Sequence, residues 1–178
     1  MRKLTLFTLL MFTIVGIASC TAKGIKKKSD RNMITPDTTV YQTLGKSLSE
    51  VLLSPTKVNV YSLKLKDRVG KEDVEVEDHV VRDTLITTLT ADEIAILQFI
   101  LIADGDSYKN DSIIVRSPYV PVIEFEFVKK KVTAQVIISL SDRTWTIWYD
   151  DRKEFNYNYA YKEGVKRFCS KLLEQNKK

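Results

Sequence analysis

Val122-Ile123-Glu124-Phe125-Glu126-Phe127-Val128 and Val132-Thr133-Ala134-Gln135-Val136-Ile137-Ile138-Ser139-Leu140, joined by Lys129-Lys130-Lys131, decide the fold. Successive side chains of a strand point to opposite faces. Ile123, Phe125 and Phe127 therefore share one face, and Glu124 and Glu126 share the other, which reads as wet. In the second run Val136, Ile137 and Ile138 are consecutive and apolar, so both faces are covered and this is the central strand. Thr144 to Tyr149 adds a third run, and Ile113 to Val115 precedes them all. Connections this short between β-branched and aromatic runs predict an antiparallel meander.

Working outward, Lys57 to Lys66 alternates and reads as another strand. Asp67 to Asp83, rich in acids and lysine with valines interspersed, reads as an exposed hairpin or edge strand. Helical spacing appears three times. Val40, Leu44, Leu48, Val51 and Leu52 predict a helix from Val40 to about Leu53, after a threonine cap and before Pro55. Thr90-Ala91-Asp92-Glu93 has the pattern of a capping box. It opens a helix whose apolar residues, Ile94 to Ile102, imply that it is largely buried. Asp104-Gly105 is expected to end it, with glycine in the left-handed conformation. Tyr161, Val165, Phe168 and Leu172 mark the last helix. The fold class is α+β: a mostly antiparallel sheet, a meander of three to five strands, packed with about three helices.

The 178 residues, 44% apolar and 29% charged, suit one globular domain. Met1 to residue 38 reads differently. Arg2 and Lys3 precede Leu4 to Ile17, a run without charge that is shorter than the roughly 20 residues a spanning helix needs. Ile17-Ala18-Ser19-Cys20 follows, and it resembles the lipobox of bacterial membrane lipoproteins. That resemblance implies a signal peptide over residues 1–19, removed in the mature chain, and a lipid on Cys20. Residues 20–38 become a basic tether and 39–178 the single domain. The same resemblance to bacterial lipoproteins, with Thr21 in place of aspartate and no acidic run behind it, implies the periplasmic face of the outer membrane.

Charge and cysteine content agree with this division. Seven basic and two acidic residues precede residue 39, and beyond it the charges balance at 21 each. The net charge of +5 therefore belongs to the signal and tether. No basic face is implied on the domain, which excludes a nucleic-acid partner. Cys20 and Cys169 are the only cysteines. With Cys20 acylated, Cys169 has no intramolecular partner and reads as a small buried hydrophobe on the last helix. His79, the only histidine, is not tied to it by any pattern.

Several constellations bear on chemistry. Asp104, Asp106, Asn110 and Asp111 offer oxygen ligands, but Tyr108 and the glycine offset break the calcium-loop pattern. Glu124 and Glu126 share a strand face, the placement that acid and base work on a glycoside would use. Trp145, Trp148, Tyr149, Phe155, Tyr157, Tyr159 and Tyr161 fall within seventeen residues. Trp148, Tyr149, Phe155, Tyr157 and Tyr159 form the candidate binding surface, since aromatic side chains give large contact areas with polar handles. Trp145 and Trp148 point to opposite faces, so at least one belongs to the core. Ser117-Pro118-Tyr119-Val120-Pro121 and the strands after it resemble small uncharacterised bacterial lipoprotein domains, which implies only a compact α+β module.

No nucleotide loop, zinc motif, nucleophile elbow or triad is present, and no cofactor or metal site is expected. The reading is a membrane-anchored binding or scaffolding module of the cell envelope, held to the membrane by the lipid on Cys20, with an envelope protein or glycan as partner. The alternative is a hydrolase acting on envelope glycans or peptides through the paired carboxylates.

Overall fold

The computed structural model describes residues 34–66, 80–103, 105–108, 119–150, 152–159 and 163–175, with the backbone alone at 152–156 and 158. Six strands form one sheet: β1 (Lys57–Leu65), β2 (Val80–Thr88), β3 (Pro121–Lys129), β4 (Val132–Ser139), β5 (Thr144–Tyr149) and β6 (Arg152–Asn158), in the order β2-β1-β3-β4-β5-β6. Every neighbouring pair is antiparallel. The α+β class and the central place of β4 stand as the patterning predicts. The sheet extends one strand beyond the meander expected because residues 152–158, within the aromatic stretch, pair with β5 as a further strand. β2 reaches Thr88, well past the acidic stretch in which an edge strand was expected. The Ile113–Val115 strand lies outside the described residues.

Alternation in β3 sets the two faces of the sheet. Val60, Phe125, Val136 and Ile147 stand side by side across four strands, and all are fully buried. Val58, Phe127, Ala134, Ile123, Ile138 and Trp145 extend this face, and three helices cover it. Fully burying one such aliphatic or aromatic side chain is worth about 1.5–3 kcal/mol, which makes this layer the main source of stability.

The helices are α1 (Thr38–Leu53), α2 (Ala91–Ile102) and α3 (Glu163–Gln175). Asp37, two residues before the threonine expected as cap, caps α1 by accepting from the Thr39 amide at 2.7 Å. At Gly45 the backbone leaves the helical region, with φ 73° and ψ 167°, so α1 is two short helices meeting at an angle. Glycine has no Cβ to oppose that conformation. A straight helix of 16 residues would be about 24 Å long. The bend lets both ends of α1 reach the same half of α2: the Asp37 amide donates to the Ile102 carbonyl at 2.8 Å, and Gln98 Nε2 donates to the Leu52 and Leu53 carbonyls.

The capping box of α2 is formed as its sequence predicts, with Glu93 accepting from the Thr90 amide at 2.9 Å and Thr90 Oγ1 accepting from the Glu93 amide. Two expectations for α2 do not hold. It is buried on one side only, through Leu97, Leu101 and Ile102, while Ile96 and Phe99 stand in solvent. Its end at Ala103 is right-handed, and Gly105 opens a 3₁₀ turn, Gly105–Tyr108, without a positive φ. Glycine is required there for space, because a Cβ would come within 2.9 Å of Asp37 Cγ and Thr39 Cβ. In α3, Val165, Cys169 and Leu172 face the core, and Phe168 stacks on Phe125 at 6.0 Å between ring centroids.

Candidate functional site: a groove on the open face of the sheet

The face turned away from the helices carries the even positions of β3. Tyr61, Glu124, Ile137 and Thr146 form one cross-strand row, and Asn59, Glu126, Gln135 and Trp148 the next. A groove of about 410 Å³ lies over this face, lined by Leu63, Val80, Arg82, Tyr119, Pro121, Glu124, Gln135, Ile137 and Trp148. One end is aromatic and aliphatic. The other is an ionic cluster.

Arg82 organises the polar end. Its Nε lies 3.1 Å from both oxygens of Glu124, and its Nη2 donates to Glu124 Oε1 at 2.5 Å and to Glu126 Oε1 at 2.8 Å. The guanidinium carbon sits 4.3 Å from the centroid of the Tyr61 ring, a cation–π contact that fixes its plane. Glu126 Oε2 also accepts from Asn59 Nδ2 at 2.7 Å and from Tyr61 Oη at 3.4 Å, and Asn59 Oδ1 accepts from Thr88 Oγ1 at 3.1 Å. Two irregularities in the pairing of β1 with β2 place Arg82 opposite Leu63, at the rim of this row.

The electrostatics follow from this arrangement. Burial would raise the carboxyl pKa of Glu126, but hydrogen bonds from Asn59 and Arg82 and the guanidinium charge outweigh it, and the group is held below its ordinary range. Arg82 is pushed above its ordinary value, chiefly by its hydrogen bonds to Glu124. The wet face expected for Glu124 and Glu126 is therefore covered: Glu124 is 4% exposed beneath Arg82. General acid catalysis needs a carboxyl that carries a proton near neutral pH. Glu126 does not carry one, and Glu124 spends both oxygens on Arg82.

The aromatic residues divide between the two faces. Trp148 is half-buried and lines the groove, whereas Trp145 is fully buried among the helices. Tyr157 and Tyr159 do not belong to a surface, because both are buried; Tyr159 stacks on Trp145 at 5.3 Å, and Tyr157 packs 4.4 Å from Tyr108. The Tyr159 hydroxyl donates to the Ser139 carbonyl at 2.6 Å, which satisfies its polar tip. Tyr149 pairs with Ala134 on the helix-facing side and packs against the core. Phe155 is placed by its backbone opposite Ile147; its side chain lies outside the described residues, as does Cys20.

The groove therefore joins two residues that the sequence singled out for different reasons, Glu124 and Trp148. Arg82, Tyr119, Gln135 and Ile137 complete it. Val80 to Thr88 is rich in β-branched residues, and reading it as a strand beside β1 would have placed Arg82 near the β3 carboxylates. Among the described residues no group of three or more His, Cys, Asp or Glu side chains could hold a metal ion. Of the calcium candidates, Asp106 lies in the 3₁₀ turn, and Asp104, Asn110 and Asp111 lie outside the described residues. Cys169 is buried, and burial pushes its thiol up to about 12, as suits a core residue rather than a nucleophile. No protein-family model, curated protein or solved structure matches this chain.

Proposed function

We propose that the protein is a cell-envelope lipoprotein, anchored through Cys20 at the periplasmic face of the outer membrane, whose domain binds an envelope protein or glycan in the groove of the open sheet face. The observation that carries the binding reading is the groove itself. Ile137 and Trp148 give an apolar floor, and Gln135 and the Arg82–Glu124 pair supply polar groups at one end. Concave sites with an apolar lining and a few fixed polar groups are where proteins hold ligands. The hydrolase alternative fits less well, because the carboxylates it would use are locked to one arginine and Glu126 is held ionised.

Trp148 serves as both probe and test. Its emission should shift when purified protein is titrated with cell-wall glycan fragments or with the partner captured by cross-linking in whole cells. Trp148→Ala should reduce capture at least tenfold while leaving the melting temperature within a few degrees. Capture unchanged in this variant, in a folded protein, defeats the groove reading. Labelled fatty acid should enter the wild-type chain and not Cys20→Ala; equal labelling of both defeats the anchor.

A further inference from the structure

The helix layer presents an apolar surface of its own. On α2, Phe99 is 65% exposed and Ile96 50% exposed, and the solvent-facing Ala95 stands one turn before Phe99 on the same side. At 100° per residue, Phe99 points roughly opposite to Leu97 and Leu101, which face the sheet. It stands on the solvent side of α2, whose buried side joins the core on the sheet face opposite the groove. A helix that is apolar all round is normally buried. The exposed half of α2 is the exception.

The chain enters the domain beside this surface. The Asp37 amide is bonded to the Ile102 carbonyl, and Phe99 is one turn before that carbonyl on the same helix. Sixteen residues stand between Cys20 and Asp37, a span of at most about 55 Å. The exposed charged side chains of the three helices balance: Lys46, Lys166, Arg167 and Lys171 against Glu50, Asp92, Glu163 and Glu174. The layer as a whole thus carries no net exposed charge, and the two acids of α2, Asp92 and Glu93, lie in its first turn, away from the end at which the chain enters. Among the described residues no helix is long and apolar enough to cross a membrane.

We infer that the Ile96 and Phe99 face of α2 rests in the headgroup region of the same membrane that holds the lipid on Cys20, so that the groove opens away from the bilayer. The inference rests on the lipid anchor proposed above. The occupant is a lipid surface because the tether from Cys20 joins the domain at this end of α2, which makes it the part of the domain nearest along the chain to the lipid. A lipid chain and two apolar side chains would act as two signals on one membrane, the second strengthened by the proximity that the first imposes.

The test uses the full-length acylated protein in phosphatidylethanolamine and phosphatidylglycerol vesicles with brominated acyl chains, which quench indoles that reach the bilayer. Phe99→Trp, a change at an exposed position, should add emission that is quenched by half or more and is insensitive to 0.5 M salt. The wild type, whose tryptophans are Trp145 in the core and Trp148 in the groove, should be quenched little. Acylated protein that floats with the vesicles while the added emission in Phe99→Trp stays unquenched overturns the inference and leaves the anchor standing. Wild-type emission quenched as strongly as the variant's overturns it too, since the groove would then face lipid. Cross-linked dimers formed through position 99 would assign the face to a second copy and likewise overturn it. Protein that carries no fatty acid and does not float removes the anchor, and the inference falls with it.

Discussion

Replacing Arg82 by methionine keeps most of the side chain's length and removes the cation that bridges Glu124 and Glu126. Breaking a buried ion pair by deleting one partner costs about 3–5 kcal/mol, because the other charge is left buried without compensation. Glu124 is buried, but the Arg82 side chain is 36% exposed, so water screens part of the loss. The expected cost at pH 7 is about 2–3 kcal/mol, which for a domain of this size lowers the melting temperature by roughly 5–10 °C.

The pH dependence separates this explanation from a loss of packing. In the wild type the folded pKa of Glu126 is depressed, so its contribution is full above the unfolded value, near about 4.3, and is lost as pH falls through the folded value. In Arg82→Met two neighbouring carboxylates have lost their cation. Glu126 no longer has the guanidinium hydrogen bond and charge that lower its pKa, so the stability it adds above its unfolded value shrinks, while below that value the two proteins converge. Urea unfolding of both proteins between pH 4 and 8 should therefore show a gap that widens with pH, and Arg82→Met with Glu124→Gln should close part of it. A gap under about 0.5 kcal/mol that stays flat across this range would refute the reasoning and reduce Arg82 to an ordinary surface charge.

Two further outcomes follow from the helix layer. Thr90→Ala removes the side-chain acceptor for the Glu93 amide and should cost about 1 kcal/mol in urea unfolding; an unchanged midpoint would show that Glu93 alone caps α2. Cys169, buried with its thiol pushed up to about 12, should resist iodoacetamide at pH 8 in the folded protein and react in denaturant; native labelling at the rate of a free cysteine would place it outside the core.

What could be read from the chain follows the range of the interactions. The capping box of α2 spans four consecutive residues, and β3 and β4 alternate within themselves, so both were visible as patterns. β6 was not, because Asp150-Asp151-Arg152-Lys153 reads as a turn, and only pairing with β5 makes its last two residues the start of a strand. The burial of Tyr157 and Tyr159 was equally hidden. Alternation showed that they share a face, but that this face meets Tyr108 and Trp145 rather than solvent depends on which side the helices cover.

The groove lies at the far limit of that range. Arg82 and Glu124 are 42 positions apart, on strands that are not neighbours: β1 lies between them, and the Tyr61 side chain fills the gap. An arginine in an acidic stretch and two glutamates on a strand each have an ordinary reading as solvated charge. Only the strand order β2-β1-β3, together with the irregular β1–β2 pairing, turns them into one buried cluster. The same order puts Trp148 on β5 two strands beyond Glu126, with Gln135 between them. Chemistry that was separate in the sequence meets on the face that the helices leave open, and that requirement ties the site to the topology more than to any one residue.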